Sequence, residues 1–229
     1  MGAVTTPSVV TTNELALHGI KRLHTIPWGV DFQRFDPSFR SEEWRKKILG
    51  NAAPDACILL CVCRLAWEKD LRTLADTYAL LRASRNDFAM VVAGDGPARL
   101  ELERLMPGAV FYGYLGTKEL SQAYASSDIF LFPSSRETFG NVTIEAMASG
   151  NIPIVANAGG SKTIVRDGEN GLLAQPQSAH DFYQKAVILL DNPGLREKMR
   201  ATGLHDSKQY AWDRVFEQML EIYHRLTKI

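Results

Sequence analysis

Apolar runs that alternate with helical stretches predict an α/β fold, a parallel sheet covered by helices on both faces. Three observations carry this. Runs at 57–63, 88–93, 109–112, 128–132 and 152–156 are almost continuously apolar, as strands buried on both faces read, and a short run follows at 171–174. Helical stretches follow the first five at about 70–84, 97–106, 117–126, 141–149 and 161–166, and helices at about 178–190, 193–208 and 212–227 finish the chain. No internal repeat, low-complexity tract or long linker interrupts the alternation after residue 36. A six-stranded sheet of this kind is doubly wound and Rossmann-like, and binds ligands beyond the carboxyl ends of its strands.

The chain has 229 residues, 45% hydrophobic and 23% charged, enough core for one large α/β domain or two small ones. Its formal net charge of zero gives no electrostatic reason to bind nucleic acid. No apolar run approaches the roughly 20 residues that span a membrane. No signal-peptide pattern opens the sequence. The expectation is a cytoplasmic protein. Cys57, Cys61 and Cys63 share one face of the first long strand. They lack a fourth ligand and the turn a metal site needs, so they read as small buried hydrophobes. Three free thiols also fit a reducing compartment.

Residues 1–35 do not read as the start of a domain. Residues 4–10 read as a short strand, and Asn13 as the cap of a helix through about His18. A second short strand at 23–27 ends at Trp28-Gly29-Val30-Asp31. Residues 41–50 read as a helix with a Ser41 cap, an acidic first turn, a basic last turn and a Gly50 stop. After 57–63 come Arg64 and Lys69, two cations straddling a tight loop, with Asp70 as cap of the next helix. A fixed Arg and a nearby Lys suit the roughly two negative charges of a diphosphate. The competing reading pairs them with Glu68 and Asp70 on the surface.

After 88–93, Gly94-Asp95-Gly96-Pro97 reads first as a turn. Arg99 stands where a dinucleotide fingerprint has its third Gly, which disfavours an NAD-dependent oxidoreductase. The loop Tyr112-Gly113-Tyr114-Leu115-Gly116 offers Tyr114 for stacking or for rim packing. After 128–132, residues 136–150 turn through Gly140 and open a helix that Gly150 closes. The free N–H groups of Gly140 to Thr143 then favour an anion such as phosphate. Glu137 and Glu145 flank that place, which suits a ligand with both phosphates and hydroxyls. Gly159 and Gly160 allow close backbone approach to a ligand or form a plain turn. None of the five histidines stands near another candidate ligand, and no His/Asp cluster suggests a metal. In 212–227, Trp212, Val215, Phe216, Met219, Leu220 and Tyr223 form a packing stripe.

Glu137-Thr138-Phe139-Gly140 with Glu145-Ala146-Met147-Ala148-Ser149-Gly150 resembles the signature of retaining GT-B glycosyltransferases of family four, glycosyl transferases group 1. Arg64-Leu65 with Glu68-Lys69 resembles the same family's diphosphate-holding loop, although Cys63 and Asp70 replace its glycines. The resemblance covers nearly the whole chain. It implies a C-terminal donor-binding domain at 36–229, preceded at 1–35 by a remnant of the acceptor domain and the linker. Stretches at 38–43 and 119–126 are similar to the sulfolipid-synthase and mannosyltransferase branch.

The resemblance implies these roles. Arg64 and Lys69 hold the donor diphosphate. Glu137 contacts sugar hydroxyls, and Glu145 the ribose. The backbone of Phe139, Gly140, Asn141 and Val142 lies on sugar and diphosphate. The backbone of Tyr112, Gly113, Tyr114 and Leu115 meets the base, with Gly94 nearby. Gly159 and Gly160 line the donor side, although Thr163 stands where the family has Glu. The donor is a UDP-, GDP- or ADP-sugar, with no metal and no other cofactor. The acceptor is a lipid, a glycan or a small molecule, and the first domain allows peripheral membrane association. The alternatives are a non-catalytic nucleotide-sugar-binding module and a same-fold epimerase or phosphorylase.

Overall fold

The computed structural model describes residues 2–50, 53 and 55–227. A small unit opens the chain: β1 (Val4–Thr6), α1 (Val9–Leu17) and β2 (Leu23–Thr25), the two strands pairing in parallel. Helix α2 (Glu42–Leu49) follows. The main domain then runs β3 (Cys57–Val62), α3 (Leu71–Ser84), β4 (Phe88–Ala93), α4 (Arg99–Leu105), β5 (Val110–Gly113), α5 (Thr117–Ala125) and β6 (Ile129–Phe132). It continues with α6 (Asn141–Ala148), β7 (Ile152–Ala156), β8 (Leu172–Ala174), α7 (Ala179–Asp191), α8 (Pro193–Ser207) and α9 (Trp212–Thr227). The six strands are parallel, in the order β5-β4-β3-β6-β7-β8. Each lies within a residue of its expected run. No described helix is long and apolar enough to cross a membrane.

The apolar runs form strands because both faces are covered. Ile58, Leu59, Leu60, Ile129, Phe130, Ile154 and Val155 are fully buried. Cys57 and Cys61 are buried among them, as expected of small hydrophobes, and burial pushes the Cys57 thiol up to about 11. Phe35 packs edge-on against Tyr124 at 5.6 Å, so the segment after β2 joins the main core. The Val30 N–H donates to the Tyr210 carbonyl at 2.8 Å beside α9.

Three local expectations are corrected. Helix α1 starts at Val9, not near Asn13: Pro7 ends the strand, and the Ser8 hydroxyl caps the helix by accepting from Thr11 N–H at 3.2 Å. The stretch after Gly160 makes only a single 3-10 turn, Ser161–Thr163, because the chain must reverse at Gly168 (φ 79) to enter β8. Asp70 does not cap α3 with its side chain. The stripe on α9 is partly covered: Val215 is buried and Trp212 stacks on Phe216 at 5.5 Å, while Phe216, Leu220 and Tyr223 are at least half exposed.

Asp128 ties α2 to the amino end of the sheet. Its Oδ2 accepts from Arg45 Nη1 and from Ile58 N–H, both at 2.9 Å, while Arg200 Nη2 lies 3.4 Å from Oδ1. Arg45 also donates to the Ser126 and Ala56 carbonyls. Removing one partner of such a pair leaves an uncompensated buried charge. Asp128→Ala is therefore expected to lower the unfolding free energy by about 3 kcal/mol in denaturant titration. A loss within the scatter of surface substitutions would contradict this role.

Candidate functional site

The strand order reverses between β3 and β6, and the loops after these two strands face each other across the crevice this opens. Loop 63–70 carries Arg64, Lys69 and Asp70. Loop 133–140 carries Glu137 and leads into α6.

Lys69 crosses the gap. Its Nζ donates to Glu137 Oε1 at 2.6 Å, and both side chains are mostly buried. The Ser134 hydroxyl donates to the same Oε1 at 2.7 Å. Arg64 instead pairs with Glu68 on the exposed rim, an interaction worth under about 1 kcal/mol. Asp70, paired with a cation of its own loop in the competing surface reading, makes no such pair with Lys69. Its carboxylate turns to Ser135 instead, accepting from the N–H at 2.9 Å and from the hydroxyl at 2.6 Å.

Gly140 has φ 105 and ψ 53, a left-handed conformation, and precedes α6 with no side-chain cap. A Cβ there would crowd Ser161, whose own Cβ lies 3.2 Å from that position, so only Gly fits. Of the N–H groups expected to be free, that of Thr143 is not: it donates to the Gly140 carbonyl at 2.9 Å, closing the first turn. Among the described residues only those ahead of it, at Asn141 and Val142 in the helix, are left for a ligand or water. Phe139 packs its ring on Tyr210 at 5.9 Å, so only its backbone is available at the turn. Asn141 is exposed and Val142 half-buried.

Gly159 and Gly160 use their close approach on the protein itself. The Gly160 N–H donates to the Glu137 carbonyl at 2.5 Å, and a Cβ on Gly159 would meet Glu137 N and O at 2.9 Å. The bare glycine faces therefore press against segment 135–139, holding it in shape, rather than lying open to a ligand. The hydroxyls of Ser8 and Thr11 donate to the Thr138 carbonyl at 2.6 and 3.2 Å, tying the start of α1 to the same turn.

Beside loop 63–70 lies a cavity of about 320 Å³, lined by Val62, Cys63, Arg64, Gly94, Asp95, Tyr114 and Leu115 among others. Cys63, where the resemblance has Gly, forms part of its wall. Gly94 donates its N–H to the Gly113 carbonyl at 2.7 Å, so β4 and β5 close the floor together. Tyr112 turns its ring away to stack on Trp44 at 6.0 Å, and Tyr114 stands free at the rim. A larger cavity of about 550 Å³ lies at the amino ends of β4 and β5, away from the switch point. Among the described residues, no three His, Cys, Asp or Glu side chains gather as a metal site.

Glu145 sits one turn into α6, where the Tyr124 hydroxyl donates to its Oε2 at 3.1 Å. Burial pushes its carboxyl above the ordinary 4.5, against the pull of Tyr124 and Arg34. Tyr124, Ser134 and Ser135 escaped the sequence reading. Nothing in their local pattern marks them, because each acts through a partner on another element or beyond a turn.

A raised carboxyl pKa means that the folded state binds the proton more readily than the unfolded one. The buried charge then weakens the fold above the folded pKa, and the penalty fades as pH falls toward 4.5. Glu145→Gln keeps an acceptor for Tyr124 and removes the charge. It is expected to melt higher than the wild type at neutral pH, with the difference vanishing below 4.5 in a pH series of thermal melts. A difference that grows toward acid would contradict the assignment.

The family described as Glycosyl transferases group 1 matches residues 56–192. The chain is 39% identical over 189 residues to sulfoquinovosyl transferase SQD2 of Arabidopsis thaliana, covering 80% of this chain and 36% of that protein. It is 35% identical over 217 residues to a GDP-mannose-dependent alpha-mannosyltransferase of Corynebacterium glutamicum, covering 95% and 51%. The chain thus spans about half the length of these curated relatives, or less. Among solved structures, the C-terminal domain of the glycosyl transferase group 1 family protein LpcC from Francisella tularensis superposes with a TM-score of 0.69 and 27% identity, covering 80% of this chain and 100% of that one. With a family match over most of the sheet and relatives of this identity, the chain belongs to the glycosyl transferases group 1 family.

Proposed function

We propose that this chain is the donor-binding half of a retaining glycosyltransferase and takes a nucleoside-diphosphate sugar at the β3/β6 crevice. The observation that carries the reading is the meeting of Lys69 and Glu137 across that crevice, beside the uncapped start of α6. A cation and a helix N-terminus suit a diphosphate, while a carboxylate within the same few ångströms suits sugar hydroxyls. Relatives named as sulfoquinovosyl and mannosyl transferases favour sugar transfer over a binding-only module, an epimerase or a phosphorylase.

In this reading Arg64 leaves its weak exposed pair with Glu68 and joins Lys69 on the diphosphate. The two cations stabilise the charge that grows there as the sugar–phosphate bond breaks. Glu137 holds the sugar ring, Glu145 the ribose, and the cavity beside Cys63 and Gly94 the base. The acceptor hydroxyl attacks from the leaving-group face with no protein nucleophile, so the configuration is retained. Acceptor-binding groups come from a first domain, and this chain alone binds donor but transfers it poorly. Charge neutralisation by two cations and a helix end makes a metal unnecessary, and the three free thiols favour a cytoplasmic setting.

Isothermal titration with UDP, GDP, ADP and NAD tests this. One of the nucleoside diphosphates is expected to bind, with affinity unchanged by a chelator. Arg64→Ala is expected to cost about 2 kcal/mol of that affinity. Binding of NAD alone would contradict the donor reading, and unchanged affinity in the variant would remove Arg64 from the site.

A further inference from the structure

Asp70 stands where the resemblance has glycine, and its backbone gives the reason for glycine: φ 54 and ψ 35, the left-handed region. An Asp in that conformation costs free energy that a Gly does not. The carboxylate makes up for this away from its own loop. Oδ2 accepts both the N–H and the hydroxyl of Ser135, and Oδ1 accepts from Gln177 Nε2 at 3.3 Å. Gln177 is itself left-handed, φ 60, just before α7. Three loops at the carboxyl end of the sheet therefore converge on one carboxylate.

The positions matter as much as the bonds. Lys69 precedes Asp70, and Ser134 precedes Ser135. Lys69 and Ser134 are the two side chains that donate to Glu137 Oε1. The Asp70–Ser135 contact therefore lies one residue along from the Lys69–Glu137 contact on loop 63–70, and two residues before Glu137 on loop 133–140. A side-chain cap on α3 would be the ordinary use of an Asp there, and it is not made. Nor does Asp70 pair with Lys69.

We propose that Asp70 is a positioning residue: it staples the loop after β3 to the loop after β6 across the switch point, and so fixes where Lys69 and Glu137 stand relative to a bound donor. The consequence for the donor rests on the function proposed above; the staple itself does not.

Asp70→Gly is the informative variant, because it suits the left-handed backbone and deletes only the carboxylate. Two measurements separate the staple from the donor reading. In the unliganded chain, hydrogen exchange at the Ser135 amide is expected to quicken about tenfold in Asp70→Gly, with β3 and α6 protection unchanged. In titrations with UDP, GDP and ADP, the variant is expected to bind the wild type's nucleotide about tenfold more weakly. Asp70→Asn keeps an oxygen for the Ser135 N–H and is expected to recover most of that loss. A purely structural role would show in the melting temperature and leave the affinity alone. Unchanged exchange at Ser135 overturns the staple whatever the nucleotides do. Faster exchange with wild-type affinity overturns the positioning role. A wild type that binds none of the three nucleotides overturns the donor reading, while the exchange data still decide the staple. If Asp70→Gly does not fold, Ser135→Ala removes the hydroxyl contact alone and is expected to weaken binding about threefold; no change there overturns the proposal.

Discussion

The reversal of strand order between β3 and β6 is the constraint from which the site follows. Each parallel strand sends its connection to one face or the other, and at this one place neighbouring connections leave in opposite directions. A crevice opens there with no loop of its own to fill it. Whatever the two flanking loops carry must face across it. Here they carry a lysine and a glutamate that meet at 2.6 Å, and an aspartate and a serine that meet beside them.

Rigidity around the crevice comes from backbone packed on backbone. Gly160 donates to the Glu137 carbonyl, Gly159 leaves no room for a side chain, and Gly140 passes Ser161 where a Cβ would not fit. Loop 133–140 is thus held from the β7 side by glycines, from the β3 side by Asp70, and from the opening segment by Ser8 and Thr11. A loop held on three sides loses little freedom when a ligand arrives, which is the condition for using charged groups effectively. Glu145 belongs to a different environment. It is fixed by a buried tyrosine, and burial raises its proton affinity.

Much of this was legible in the sequence, for a physical reason. Strands buried on both faces need continuous apolar runs, so β3 to β8 could be placed to within a residue. Gly140 and the two glutamates stood out because a strand–Gly–helix corner has one use for free N–H groups. What stayed hidden is contact between distant residues. Lys69 and Glu137 are 68 positions apart, and no local pattern says that they touch. Asp70 looked like a helix cap because Asp usually is one; its left-handed backbone and its reach to Ser135 depend on a neighbouring loop. The start of α1 was misplaced because Val9 and Val10 favour strands, while the Ser8 cap and its bonds to Thr138 favour helix. The Gly159-Gly160 pair looked like room for a ligand because glycine marks close approach without saying what approaches.

The central claim is that a nucleoside diphosphate lies between the start of α6 and the loop after β3. An amide-resolved NMR titration of the chain with UDP and GDP addresses it most directly. The account predicts saturable shifts at Gly140, Asn141 and Val142 together with Arg64 and Lys69, and none at the amino ends of the strands. Shifts confined to the cavity near Tyr78 and Phe88, or no saturable shift with either nucleotide, would contradict it.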